Sequence, residues 1–147
     1  PRGDPAGFVE IEDEKTILLA DRRGNNRIDS LRNIIGNPQV GLLFLVPGIG
    51  ETLRVNGRAA ISVDPALLAR FRLKDKLPRS VLRITVDTVF FQCSRALIRS
   101  ELWNPERHLL RSALPSTGEM LAAVTDQRID AQTYDRELPP RLKASLY

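Results

Sequence analysis

The chain has one cysteine, one histidine, one methionine and one tryptophan, and aromatic residues make up only 5% of it. A lone cysteine, Cys93, excludes an internal disulfide and offers no metal-ligand spacing, so a reducing cytoplasm is the expected compartment. Cys93 follows an apolar strand pattern and reads as a small buried residue rather than a reactive thiol. His108 stands in a polar stretch without partners, so no nucleophile–base triad is recognisable. No apolar run reaches the length of a membrane span, and no signal-peptide pattern opens the chain. With few aromatics, no dense basic run and no zinc spacing, nucleic acid is a weak option as a partner. Repeats, low-complexity tracts and a clear linker are also missing, and 147 residues read as one domain able to bury a core.

Arginine is what the chain has in quantity: eighteen, against four lysines, with a net charge of +4. A guanidinium suits bidentate recognition of phosphate or carboxylate, although a G- and C-rich genome produces the same bias. Three of the arginines fall in Asp21-Arg22-Arg23-Gly24-Asn25-Asn26-Arg27-Ile28-Asp29-Ser30. This polar loop follows the apolar run Thr16–Ala20 and opens a helical pattern at Ile28, Leu31, Ile34 and Ile35. Free N–H groups at a helix start, the positive end of its dipole and nearby guanidinium groups suit an anion such as a phosphate. Capping chemistry uses the same residue types, so on the loop alone a capped helix with a solvated approach is the simpler reading.

The remaining pattern is dominated by strands. Residues 7–13 and 16–20 read as two strands joined by a turn at Asp13-Glu14-Lys15. The amphipathic helix runs from Asn26 to about Ile35, with Gly36 and Pro38 as its stop. Gln39–Val46 is a continuous apolar run, expected to be buried on both faces. From Thr52 to Val63 apolar and polar residues alternate. Leu53, Val55, Gly57, Ala59, Ile61 and Val63 fall on one face, and Arg54, Asn56, Arg58 and Ser62 fall on the other. Asp64-Pro65 predicts an N-cap and first helical position for a helix from Ala66 to about Leu73. Val81–Gln92 returns to strand, Cys93–Trp103 has helical or turn character, and helical pieces follow near Gly118–Val124 and Ala131–Glu137, with a break at Pro139-Pro140. Strands interspersed with short helices suggest a small barrel rather than βαβ units.

The order of these motifs resembles the pyridoxamine 5'-phosphate oxidase-like, FMN-binding split-barrel family, and within it a bacterial subgroup of probable FMN-dependent enzymes. The residues that carry the resemblance are Pro1–Phe8, Asp21-Arg22 with Gly24–Leu31, Asn37-Pro38 with Val40–Leu45, Glu51–Gly57, and Cys93–Trp103. The resemblance implies a mainly β fold with helices, a six-stranded split β-barrel that forms a homodimer with FMN at the subunit interface. The family's initial helix and two strands have no counterpart here, so the N-terminal part of the barrel is expected to be missing. Residues 104–147 are expected to form a helical C-terminal extension of the same domain.

By the same resemblance, the phosphate position falls on Arg22, Asn25, Asn26, Arg27 and Ser30, with Arg27 as charge partner and Ser30 as hydroxyl. Thr52, with Glu51, corresponds to the polar group offered to the flavin ring, and Arg2 lies where the family passes close to the cofactor. Arg95, Arg99 and Ser100 are expected near anionic groups of the cofactor. Trp103 is a candidate wall for the ring, although a lone tryptophan is more often a core or interface anchor. If the family geometry holds, a ligand or partner should cover Arg54, Asn56 and Arg58.

The basic C-terminal segment with which the name-giving oxidase holds its substrate has no equivalent here, which puts vitamin B6 oxidation in doubt. The expected function is therefore FMN-dependent oxidation or reduction of an unknown small substrate. Two alternatives remain: a non-catalytic binder of flavin, deazaflavin or haem, and a cofactor-free domain whose arginines meet acidic partners.

Overall fold

A computed structural model of the chain describes residues 2–4, 7–25 and 27–146. The chain divides into two compact units, one ending at Trp103 and one spanning Asn104–Leu146. None of the described helices is long and apolar enough to cross a membrane.

The first unit is a single antiparallel sheet carrying three short helices. Its strands are β1 (Val9–Asp13), β2 (Thr16–Asp21), β3 (Gln39–Phe44), β4 (Thr52–Ser62) and β5 (Ser80–Gln92), in the spatial order β1-β2-β5-β4-β3. Five strands are present among the described residues, where the resemblance implies six. The sheet does not close on itself, and β1 and β3 are left as its edges. The β1–β2 turn forms where Asp13 accepts a hydrogen bond from the Lys15 backbone N–H at 2.8 Å. That bond, with further help from Thr16, holds the Asp13 carboxyl below the usual carboxylate range.

Period-two alternation in the strands produces two apolar faces. On one, Leu19, Ala59, Leu82 and Ile84 are buried, and helix α1 (Asp29–Gly36) lays Leu31 and Ile34 against them. On the other, Leu18, Ala20 and Val81 pack under Leu67, Leu68 and Phe71 around helix α2 (Pro65–Arg70). α2 begins as its sequence predicts: the Asp64 carboxylate accepts from the Ala66 and Leu67 N–H groups, and Pro65 takes a first-turn position. Its Arg70 reaches across to Glu10 and Glu12 on β1, and Glu12 also pairs with Arg83 of β5 at 2.7 Å. These charges tether α2 to the sheet beneath it.

Gly57 marks a close approach. The β4–β5 register shifts between Asn56 and Gly57, and a Cβ at residue 57 would lie 2.3 Å from the Thr85 carbonyl oxygen. β4 can follow the bend only without a side chain there.

Several elements depart from expectation. β3 is not buried on both faces. As an edge strand it alternates half-buried and exposed positions; Leu43 is exposed, as are Leu45 and Val46 just beyond its end. Cys93 is exposed rather than buried: it follows the end of β5 at Gln92, where the last residues of the strand are themselves exposed. Val63 lies beyond the end of β4 and is exposed. α1 starts at Asp29 rather than near residue 26 and includes Gly36. It ends when Asn37 turns extended ahead of Pro38, a residue that disfavours helical backbone before it.

In the second unit, α4 (Thr117–Val124) starts in a capping box between Ser116 and Glu119. α5 (Ala131–Ser145) starts at the Asp130 cap, and the Thr133 hydroxyl and backbone N–H hold the Asp130 carboxyl below the usual range. Gly118 N–H donates to Asp135 at 2.7 Å and joins the two helices. α5 is not broken at Pro139-Pro140. Prolines already have a helical φ, and the helix continues past them at the loss of two backbone donors.

Candidate functional site

β2 pairs with β5 so that Asp21 faces Ser80, and the loop leaving β2 therefore stands beside the residues that enter β5. The Arg79 backbone N–H donates to the Asp21 carbonyl at 3.0 Å, which fixes that neighbourhood. Between them lies a polar cleft of about 1140 Å3, lined by Arg2, Arg22, Arg23, Arg27 and Arg79 together with Asn25, Ser30, Asp21 and Asp29. Five arginines line the cleft against two aspartates, and a third aspartate, Asp4, lies beside Arg22, which leaves the lining with more positive than negative side chains.

One side-chain hydrogen bond sets the local structure of the loop, whose residues from Arg27 to Ser30 are exposed. Asn25 Oδ1 accepts from the Arg27 N–H at 3.0 Å, an Asx turn that leads the chain into α1. The helix itself has no side-chain cap at Ile28, so its first N–H groups keep their donor capacity. This differs from the capped helix that the loop composition suggested. Arg27 lies over the same turn and pairs with Asp29 at 2.6 Å, largely exposed. Arg2 pairs with Asp21 at 2.8 Å, and Arg22 lies 3.7 Å from Asp4. The Arg22–Asp4 pair is largely buried, whereas Arg27 and Arg2 are exposed; exposed pairs are worth ~0–1 kcal/mol, so an arriving anion can recruit Arg27 and Arg2 at little cost.

A second cavity, of about 470 Å3 and mainly apolar, lies on the α1 face of the sheet. Phe8, Val9, Leu19, Val40, Leu42 and Ile84 contribute to its wall. Arg2, Ser30 and Leu82 line both spaces. A charged chamber and an apolar one therefore adjoin at the first turn of α1.

Of the twelve residues expected at the site, the structure gathers Arg2, Arg22, Asn25, Arg27 and Ser30 into the polar cleft. Asn26 lies outside the described residues. Arg23 and Arg79 also line the cleft, although the motifs do not assign them to it. Arg79 sits in a Pro-Arg segment with no local motif, and only the pairing of β2 with β5 brings it in.

The other six, Glu51, Thr52, Arg95, Arg99, Ser100 and Trp103, cluster elsewhere. Thr52 is buried and pairs with Gln92, at the far end of β5 from Ser80. β5 is thirteen residues long, so its ends lie up to ~40 Å apart along the strand. Helix α3 (Arg95–Ser100) follows β5 at this far end. Trp103 Nε1 donates to the Ile49 carbonyl at 2.8 Å, and a Cβ on Gly50 would come within 2.8 Å of Ser94 Cβ. The α3 segment is thereby fastened to the β3–β4 turn. Arg95 and Arg99 are exposed, and Ser100 Oγ donates to the Leu97 carbonyl at 3.3 Å.

The surface around this end is unusually apolar. Val89, Phe91, Ile98 and Leu102 are all exposed, and β2 pairs with β5 only as far as Thr85. Arg54, Asn56 and Arg58 on β4 are exposed as well, with Arg58 3.5 Å from Asp87. Among the described residues no group of three or more histidine, cysteine or acidic side chains is placed to hold a metal ion.

Residues 1–93 match the family model for pyridoxamine 5'-phosphate oxidase. Among solved structures, the chain is similar to HupZ of Group A Streptococcus, at 23% identity over 59% of this chain and 70% of that one, with a TM-score of 0.48. A form of HupZ with one histidine replaced by alanine gives 22% identity over 58% and 73%, with a TM-score of 0.46. No curated protein matches the chain.

Proposed function

We propose that this chain, which belongs to the pyridoxamine 5'-phosphate oxidase family, binds flavin mononucleotide and uses it to oxidise or reduce a small substrate. The observation that carries the reading is the junction of the arginine-rich cleft with the apolar cavity at Arg2, Ser30 and Leu82. A flavin mononucleotide has the same division, a phosphate dianion at one end and a flat ring with apolar faces at the other. Arg27, the Ser30 hydroxyl and the uncapped start of α1 would hold the phosphate, with Arg2 and Arg22 beside them. The apolar wall would take one edge of the ring and keep water from it. When bound, the flavin supplies the hydride or electron chemistry, and the chain binds it, orients it and tunes it through nearby hydrogen bonds.

A second copy of the chain is part of the proposal. The exposed apolar residues beyond Thr85, together with the free β5 edge there, favour burial against a partner. In such a homodimer, Arg95, Arg99, Ser100 and Trp103 of one copy would close the cleft of the other. In the six-stranded barrel that the family implies, a further strand would lie between the free edges of β1 and β3.

The test is an absorption spectrum of the purified protein, followed by FMN titration of the wild type and Arg27→Ala. The expected result is a flavin spectrum or tight uptake, with affinity falling roughly ten- to a hundred-fold in the variant, the worth of one charge-assisted hydrogen bond. Unchanged affinity would remove Arg27 from the site. Uptake of a deazaflavin or haem in place of FMN would keep the fold and replace the chemistry.

A further inference from the structure

Polarity is unevenly distributed around the apolar cavity. Its floor is the buried core of Leu19, Leu82 and Ile84, and around it Phe8, Val40 and Leu42 are only half-buried. The α1 side differs. Ser30, Asn33 and Asn37, at positions i, i+3 and i+7, follow one side of the helix to its C-cap and line the cavity with uncharged hydrogen-bonding groups. Asn37 Oδ1 accepts from the Gln39 N–H at 3.1 Å, which orients that carboxamide and keeps its amino group as a donor. Asn33 is exposed on the helix, and its carboxamide can both donate and accept.

Charge is scarce in the same space. Among the described residues the lining has no acidic side chain. Its one cation, Arg2, pairs with Asp21 at 2.8 Å and stands at the junction with the cleft, where a phosphate would draw on it. Glu10 and Glu12 of the neighbouring β1 pair with Arg70 of α2, which packs on the other face of the sheet. A cation in this cavity would lose water with no carboxylate to replace it. At about 470 Å3 the space has the size and the sparse polar groups of a small-molecule site.

We infer that this cavity takes the substrate, and that the substrate is an uncharged molecule with an apolar body and a carbonyl or carboxamide group bound by Asn33 and Asn37. The inference rests on the reading of the adjoining cleft as the flavin's phosphate site, and it names the class of molecule that the flavin would oxidise or reduce. The two carboxamides and the apolar floor select for it together: the floor holds the body, and the amides replace the water lost from the polar group.

Three probes of nearly one shape and different charge test the inference: 2-naphthamide, the cation 2-naphthamidine and the anion 2-naphthoate, titrated into the full chain and followed by NMR. The amide should bind about ten-fold more tightly than the cation, and more tightly than the anion. Asn33→Ala should weaken amide binding about two- to ten-fold, the worth of one hydrogen bond, and alanine keeps the helix. Arg32→Ala, on α1 but outside the lining, is the control. Equal affinities for the three probes, tighter binding of 2-naphthoate, or an Arg32→Ala effect as large as that of Asn33→Ala would overturn the inference. Repeating the titration with FMN present separates the two readings. Amide preference without FMN uptake would keep the cavity's selectivity and remove the flavin. Loss of 2-naphthamide binding on FMN saturation would give the cavity to the ring and overturn the substrate assignment.

Discussion

Mixing two defective forms of the protein tests whether the site is shared between copies. The perturbations are Arg27→Ala in the polar cleft and the double substitution Arg95→Ala, Arg99→Ala on α3. All three side chains are exposed, and the ion pair lost is the exposed one between Arg27 and Asp29, so each variant should fold. The two positions flank opposite ends of β5, up to ~40 Å apart along the strand, a span much longer than a flavin mononucleotide. In a two-fold dimer with shared sites, each variant alone has two damaged sites. A heterodimer has one doubly damaged site and one intact site. Random exchange makes about half of the dimers heterodimers, so about a quarter of the wild-type sites should return. The assay is flavin retained per chain after gel filtration, with exchange followed by a tag on one variant. Exchange without any recovery of flavin would show that Arg27 and the α3 arginines serve different sites, and the shared-site argument would fail.

Three further outcomes follow from the geometry. Gly57→Ala should destabilise the fold by ~1–3 kcal/mol or prevent folding, read as a lower urea midpoint, because its Cβ would be forced to 2.3 Å from the Thr85 carbonyl oxygen. A midpoint equal to wild type would mean that the register shift at residue 57 relaxes freely. Asp64→Ala should cost about 1 kcal/mol in the same assay by removing the α2 cap, and Asp64→Asn should cost less. The carboxyls of Asp13 and Asp130 are both lowered on folding, so their stabilisation is complete above the unfolded value near 3.9 and is lost as pH falls through the lower folded values. The melting temperature of Asp13→Asn should therefore be less acid-sensitive than wild type below about pH 4 and differ by a constant above it.

Local chemistry was legible in the sequence, and long-range partnership was not. The alternation in Thr52–Ser62 and the Asp64-Pro65 start of α2 were readable because each is set within a few residues. The apolar run at β3 suggested burial on both faces, yet an edge strand can be equally apolar when one face and one edge are left open. Exposure of Cys93 was hidden for the same reason: nothing nearby records that β2 stops pairing at Thr85. Within the site, the loop Arg22–Ser30 was visible as a cluster. Arg79 was not, because only the pairing of Asp21 with Ser80 brings it to that cleft.

The strand order has a consequence for the path by which the chain folds. β3, β4 and β5 are consecutive antiparallel neighbours, with β4 and β5 joined through α2, and β1 with β2 forms a separate hairpin. The two pieces join only along β2 and β5, which pairs residues 59 to 69 positions apart, from Asp21 with Ser80 to Thr16 with Thr85. Closing so long a loop is entropically slow, so the hairpin is expected to dock last. The arginine cleft spans that join, with the loop on one side and Arg79 on the other, and is therefore complete only after the final step. An anion bound across it would act as a clasp, slowing unfolding more than it speeds folding.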